Sequence, residues 1–98
     1  MKMNLVAVRE ENGQPVAVFE RSCELPFVPS IGMKFRKGGA TWLFETSDGE
    51  EEGRVSDLSY DFDEEAVYVL FKVSRALTSS FWIPTDPKTS GAISQFYR

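Results

Sequence analysis

Two turn signals, Asn12-Gly13 and Asp48-Gly49, divide extended, alternating segments at short intervals, and this punctuation constrains the fold more than any other feature. Both residues of such a pair tolerate the positive φ that a two-residue hairpin loop demands. "MNLVAVR" (Met3 to Arg9) and "VAVFERSCEL" (Val16 to Leu25) flank the first signal and predict a β-hairpin. "TWLFET" runs into the second. With Asp48-Gly49 as its loop, Ser47 faces Glu50, Glu45 faces Glu52, Phe44 faces Gly53 and Trp42 faces Val55. That register sets Trp42, Phe44 and Val55 on one face, and Leu43, Arg54, Glu45 and Glu52 on the other. Gly53 opposite Phe44 leaves bare backbone for the ring to cover.

A third hairpin is predicted around Asp63-Glu64, joining "RVSDLSYDF" to "AVYVLFKV", with Leu58 facing Val69, Tyr60 facing Val67 and Phe71 on the same face. The spacing between Val55 and Leu58 would send them to opposite faces, so a bulge is expected near Ser56-Asp57. "LPFVPSIG" withholds two backbone donors at Pro26 and Pro29 and reads as an extended connector, with Gly32 opening the short strand "MKFR". "KGGAT" is the next turn. In the tail, "FWI" suits a last strand ended by Pro84 and Pro87, and the remaining residues fit a loop, an edge strand or a poor helix. No segment has a persuasive 3.6-residue apolar period. The predicted fold is all-β and a single domain over residues 1–98: a curled antiparallel sheet or small half-open β-barrel of six to seven strands, built from consecutive hairpins.

Composition narrows the chemistry. At 98 residues and 42% hydrophobic, the chain can bury a core but leaves little room for an enclosed active site. Its longest apolar run, Ala66 to Phe71, is far short of the roughly 20 residues of a membrane helix, and no charged-then-apolar leader opens the sequence. The expectation is a cytoplasmic protein with no membrane contact. Cys23 is the only cysteine, with no basic neighbour in the strand pattern to activate it, so a buried structural thiol is expected and an intrachain disulfide is excluded. The absence of histidine removes the commonest general base and transition-metal ligand. Catalysis is thereby disfavoured, and no cofactor is implied.

The arrangement "LPFVPSIGMKF" followed by "GRVSDLSYDFDEEAVYVLFKV", about the middle half of the chain, resembles a pattern in small, largely uncharacterised bacterial β-barrel proteins. The resemblance implies a curled antiparallel sheet and a bacterial or mobile-element setting. It implies no activity and no catalytic residue.

Charge is unevenly spread. From Glu45 to Glu65 there are ten acidic residues and one basic, a net of −9; the remainder has five acidic and ten basic, a net of +5. Asp57, Asp61, Asp63, Glu64 and Glu65 form a candidate acidic patch. Calcium-loop spacing is absent among them, and hairpin tips are commonly acidic because Asp caps turns. A pair of these acids could in principle serve a small carboxylate-dependent enzyme or ligand binder, but so crowded a set nominates no particular pair. A basic partner could use the local field, as in an inhibitor presenting acidic hairpins to a basic or nucleic-acid-handling protein. Lys34, Arg36 and Lys37, ahead of Gly38-Gly39, would make a phosphate-binding turn, yet an isoelectric point of about 4.8 disfavours nucleic acid as partner.

The aromatic residues carry the favoured reading. "AVYVLFKV" is apolar on both faces, so its second face needs cover from the tail or from another subunit. Tyr68, Leu70, Phe81, Trp82, Phe96 and Tyr97 are the candidate interface. The expected function is a non-catalytic binding module that contacts a protein partner or a second copy, a homodimer, through an aromatic apolar face.

Overall fold

"AVYVLFKV" and the strand that opens the chain, each buried on both faces, lie side by side at the centre of the sheet. In a computed structural model, which describes residues 1–36 and 43–97, the strands are β1 (Lys2–Glu11), β2 (Gln14–Glu24), β3 (Lys34–Phe35), β4 (Glu45–Thr46), β5 (Gly49–Glu50), β6 (Gly53–Asp61), β7 (Ala66–Val73) and β8 (Ile83–Thr85). Six form one sheet in the order β3-β6-β7-β1-β2-β8, and β4 pairs with β5 apart from it. The all-β class is as the sequence predicts; the sheet is mixed and is not closed into a barrel. Its one parallel pair joins β1 to β7, from Met3 opposite Val67 to Arg9 opposite Val73. Consecutive hairpins alone cannot make that pair, because parallel neighbours need a crossover. Burial on both faces explains why these strands read as continuous apolar runs.

Hairpin chemistry places the rest. Asn12 and Gly13 take φ of 54° and 77° and close β1 onto β2 between Glu11 and Gln14. In the β6–β7 hairpin Leu58 faces Val69 and Tyr60 faces Val67, and the register shifts between Val55 and Asp57, at the expected bulge. The Asp48-Gly49 turn departs from expectation. Thr46 pairs with Gly49 and Glu45 with Glu50, so the loop is Ser47-Asp48. Thr46 decides this: its hydroxyl donates to the Gly49 carbonyl at 2.7 Å and accepts from the Asp48 N–H at 3.2 Å. Leu43 and Phe44, expected on opposite faces, sit in a turn and are both buried. Trp42, Lys37 and the "KGGAT" turn lie outside the described residues.

Both sheet faces are covered within the chain. On the first, Leu5, Val55, Val69 and Phe71 pack under Leu43, Phe44, Leu77 and Trp82. Phe71 meets the rings of Phe35 and Phe44 at 5.1 Å each, and the Trp82 indole donates to the Leu43 carbonyl at 2.8 Å. On the second, Val6, Val8, Val18, Tyr68 and Leu70 lie under Ala92 and Ile93 of a single 3-10 turn, Ala92–Gln95, with Phe96 and Tyr97 beside them. A buried Ile93 contributes about 1.5–3 kcal/mol, enough to hold so short a cover. Pro84, expected to end the last strand, lies within β8 opposite Phe19. That position is tolerated because β8 is a sheet edge, where the missing N–H breaks no ladder bond.

Candidate functional site

The acidic block divides between the two ends of β6. Near the start of β6, Asp48, Glu51 and Glu52 are engaged. Glu51 accepts from the Ser74 N–H, the Ser74 hydroxyl and the Arg75 N–H at 2.8–2.9 Å. Glu52 pairs with Arg54 and Lys34, and Asp48 with Arg75. Arg54 also donates to Glu52, which holds the Glu52 carboxyl below its usual range.

At the far end, none of Asp57, Asp61, Asp63, Glu64 and Glu65 is in an ion pair among the described residues. Three of the five instead organise the hairpin. Asp61 accepts through one oxygen from the N–H groups of Asp63 and Glu64 at 2.9 and 3.0 Å, and through the other from the Gln95 amide at 2.8 Å. The bond from the Glu64 N–H is the main reason its carboxyl is held below the usual range, with Gln95 and Asp63 adding to it. Glu64 accepts the Tyr68 hydroxyl at 2.9 Å, and Asp57 accepts the Leu58 N–H at 2.8 Å. Among the described residues no group of three or more acidic or cysteine side chains is placed to hold a metal.

This ordered tip carries an aromatic pair. Tyr60 and Phe62 meet edge to face, centroids 4.9 Å apart at 89°, and are 46% and 84% exposed. Alternation puts Tyr60 on the side of Leu58, while Ser59 and Asp61 turn to the other face, where Gln95 bridges them. Phe62 was not singled out from sequence. The available signal was its place between Asp61 and Asp63 in a hairpin loop, where a large apolar side chain has no core to reach.

The six aromatic-interface candidates do not form one surface. Tyr68, Leu70, Phe96 and Tyr97 meet on the second face, and Phe81 and Trp82 on the first. Trp82, Tyr68 and Leu70 are buried, and Phe81 is half-buried with the Arg21 guanidinium 4.9 Å from its ring centre. Lys34 and Arg36 flank a depression of about 200 Å³ with Phe27, Met33 and Phe35, small for a ligand pocket. Gly38-Gly39 lies outside the described residues. Cys23 is free and half-buried, and burial raises its thiol pKa.

Two tyrosines seal the second face and set an alkaline limit. Burial and the bond to Glu64 push the Tyr68 phenol up to about 12, and burial with the bond to Glu10 raises Tyr97 as well. In the folded chain both keep protons that the unfolded chain releases from about pH 10. This contribution to stability is therefore full below pH 10 and lost as pH rises toward the folded values. Unfolding midpoints measured from neutral pH to about 12 should fall above pH 10, with a shallower fall in Tyr68→Phe. An identical slope in that variant would show that Tyr68 keeps no extra proton affinity.

No protein-family model, curated protein or solved structure matches the chain. Among the described residues no helix is long and apolar enough to cross a membrane.

Proposed function

We propose that this chain is a non-catalytic interaction module that docks on a protein partner through the tip of the β6–β7 hairpin, with Tyr60 and Phe62 as the anchor. One observation carries the reading: an aromatic side chain 84% exposed, on a hairpin whose own carboxylates fix its backbone. Aromatic residues dominate interface energetics, and an anchor on a rigid element loses little conformational freedom on binding. Of the two covers expected for the second apolar face, the tail or another subunit, the chain's own tail packs there, so the docking surface moves from Tyr68, Leu70, Phe96 and Tyr97 to the hairpin tip.

The carboxylates around the anchor, in no ion pair among the described residues, favour a partner whose pocket has a basic rim. In that form the module is an inhibitor of a basic or nucleic-acid-handling protein, and the complex should weaken steeply with added salt. The setting is read as cytoplasmic and, through the resemblance of the middle half of the chain, bacterial.

A photo-reactive phenylalanine analogue at position 62 tests the proposal. Cross-linking in source cells should capture a discrete protein from position 62 and not from the exposed control positions Val16 and Ile83, and Tyr60→Ala should suppress the capture. The same capture from all three positions, or none from 62, would overturn the assignment.

A further inference from the structure

We infer that the outer edge of β6, at Leu58 and Tyr60, takes an extended basic segment of the partner as an added strand; this rests on the hairpin-docking reading and specifies its partner. The neighbouring strand β3 covers only the start of β6. Lys34 and Phe35 pair with Arg54 and Gly53, and Val55 closes the contact by donating to the Met33 carbonyl at 2.9 Å and accepting from the Gly32 N–H at 2.8 Å. From Ser56 to Asp61, β6 has β7 on one side and, among the described residues, no strand on the other.

The bulge decides which backbone groups face outward. Val55 points its N–H and C=O away from β7, and one extra residue in the ladder moves the outward set to Leu58 and Tyr60. The Leu58 N–H fits this placement: it bonds to the side chain of Asp57 at 2.8 Å, a local acceptor that a carbonyl of the added strand would replace. Unpaired strand edges of this kind are templates for β-strand addition, with main-chain hydrogen bonds giving affinity and alternate side chains giving specificity.

The flanking side chains select the occupant. One side of the edge presents Leu58 and Tyr60 with Phe62 beyond them, and the other presents Asp57, Ser59 and Asp61. A second copy is a poor fit: antiparallel pairing centred on Ser59 would set Asp57 of each chain opposite Asp61 of the other, and like charges directly opposite destabilise a ladder. A segment alternating Lys or Arg with apolar residues satisfies both sides, with cations toward Asp57 and Asp61 and apolar side chains against Tyr60 and Phe62. The open edge and the aromatic pair make the site; charge fixes only which segment enters it.

Amide NMR titration of the full chain tests this with three short acetylated peptides: alternating Lys and Val, the same peptide N-methylated on every second residue, and alternating Glu and Val. The Lys/Val peptide should shift the Leu58 and Tyr60 amides and slow their hydrogen exchange roughly tenfold or more, since pairing closes the edge. Asp57→Lys should weaken that binding severalfold, and the other two peptides should leave both amides unchanged. If the N-methylated peptide binds as well as its parent and shifts the Tyr60 and Phe62 ring signals, strand addition is overturned and hairpin docking stands. If all three peptides leave residues 58–62 unperturbed while position 62 still cross-links a protein, strand addition is likewise overturned. Absence of both signals overturns the two readings together.

Discussion

Replacing Phe71 by alanine should lower the free energy of unfolding by about 3–5 kcal/mol. Phe71 is 0% exposed and sits where three covering segments converge, touching Phe35 from β3, Phe44 from the turn before β4 and Trp82 from the segment before β8. Removing the ring leaves a cavity walled by other rings, which cannot collapse into it without leaving their own positions. For a domain of this size a loss of that magnitude is a large fraction of the total, and thermal melting should shift by well over 10 °C. Phe71→Leu, which keeps most of the volume, should cost about 1.5 kcal/mol or less. Equilibrium unfolding of both variants checks the contrast. Equal losses from the two would show that the aromatic cluster is not packed as described.

The second large effect concerns Gly53. A Cβ built on Gly53 would lie inside the volume of the Phe44 ring. Phe44 is 1% exposed and in contact with Phe71 and Trp82, so it cannot swing away freely. Gly53→Ala should therefore cost about 1–3 kcal/mol through overpacking. The cause can be separated from any backbone effect by a double-mutant cycle. Paired with Phe44→Leu, which makes room, the two losses should sum to less than their separate values, with a coupling of about 0.5–3 kcal/mol. Strict additivity would mean that Gly53 is required for its backbone and not for the ring above it.

That contact was legible in the sequence for a sound reason and in a wrong register. A glycine opposite an aromatic residue marks covered backbone, and Phe44 does cover Gly53, but from a turn and not from a paired strand. The register was missed because an Asp-Gly pair is a stronger prior than a threonine. Thr46, almost wholly buried, moved the loop back by one residue through its own two hydrogen bonds. The β6–β7 hairpin was legible down to its bulge, because alternation failed locally between Val55 and Leu58 and a bulge is the usual way a strand restores its faces.

The parallel pair was not legible. Turn residues encode which neighbours in sequence fold back on each other, whereas the order of distant hairpins depends on where the connectors cross. The clue lay in β1 and β7, both apolar on two faces, a pattern typical of central strands in parallel contact. From sequence the same feature reads equally well as a demand for a second subunit. Ala92 and Ile93, in a stretch too short and polar to read as an amphipathic helix, meet that demand within the chain.

At the candidate site, sequence marked the acids and passed over the aromatic residue between them. The acids were conspicuous by number, yet Asp61 and Glu64 are occupied in holding the turn. Phe62 is conspicuous only once the fold shows its ring exposed at the hairpin tip with Tyr60 against its edge.

The central claim is that the Phe62 ring is left out of the fold and is available to a partner. Chemical unfolding of Phe62→Ala, measured beside capture of the partner by a cross-linker placed at Tyr60, tests it most directly. An unfolding free energy within about 0.5 kcal/mol of the parent chain is expected, as for an exposed side chain away from the core, together with loss of capture. A loss of stability above about 1 kcal/mol, or capture undiminished by the substitution, would contradict it.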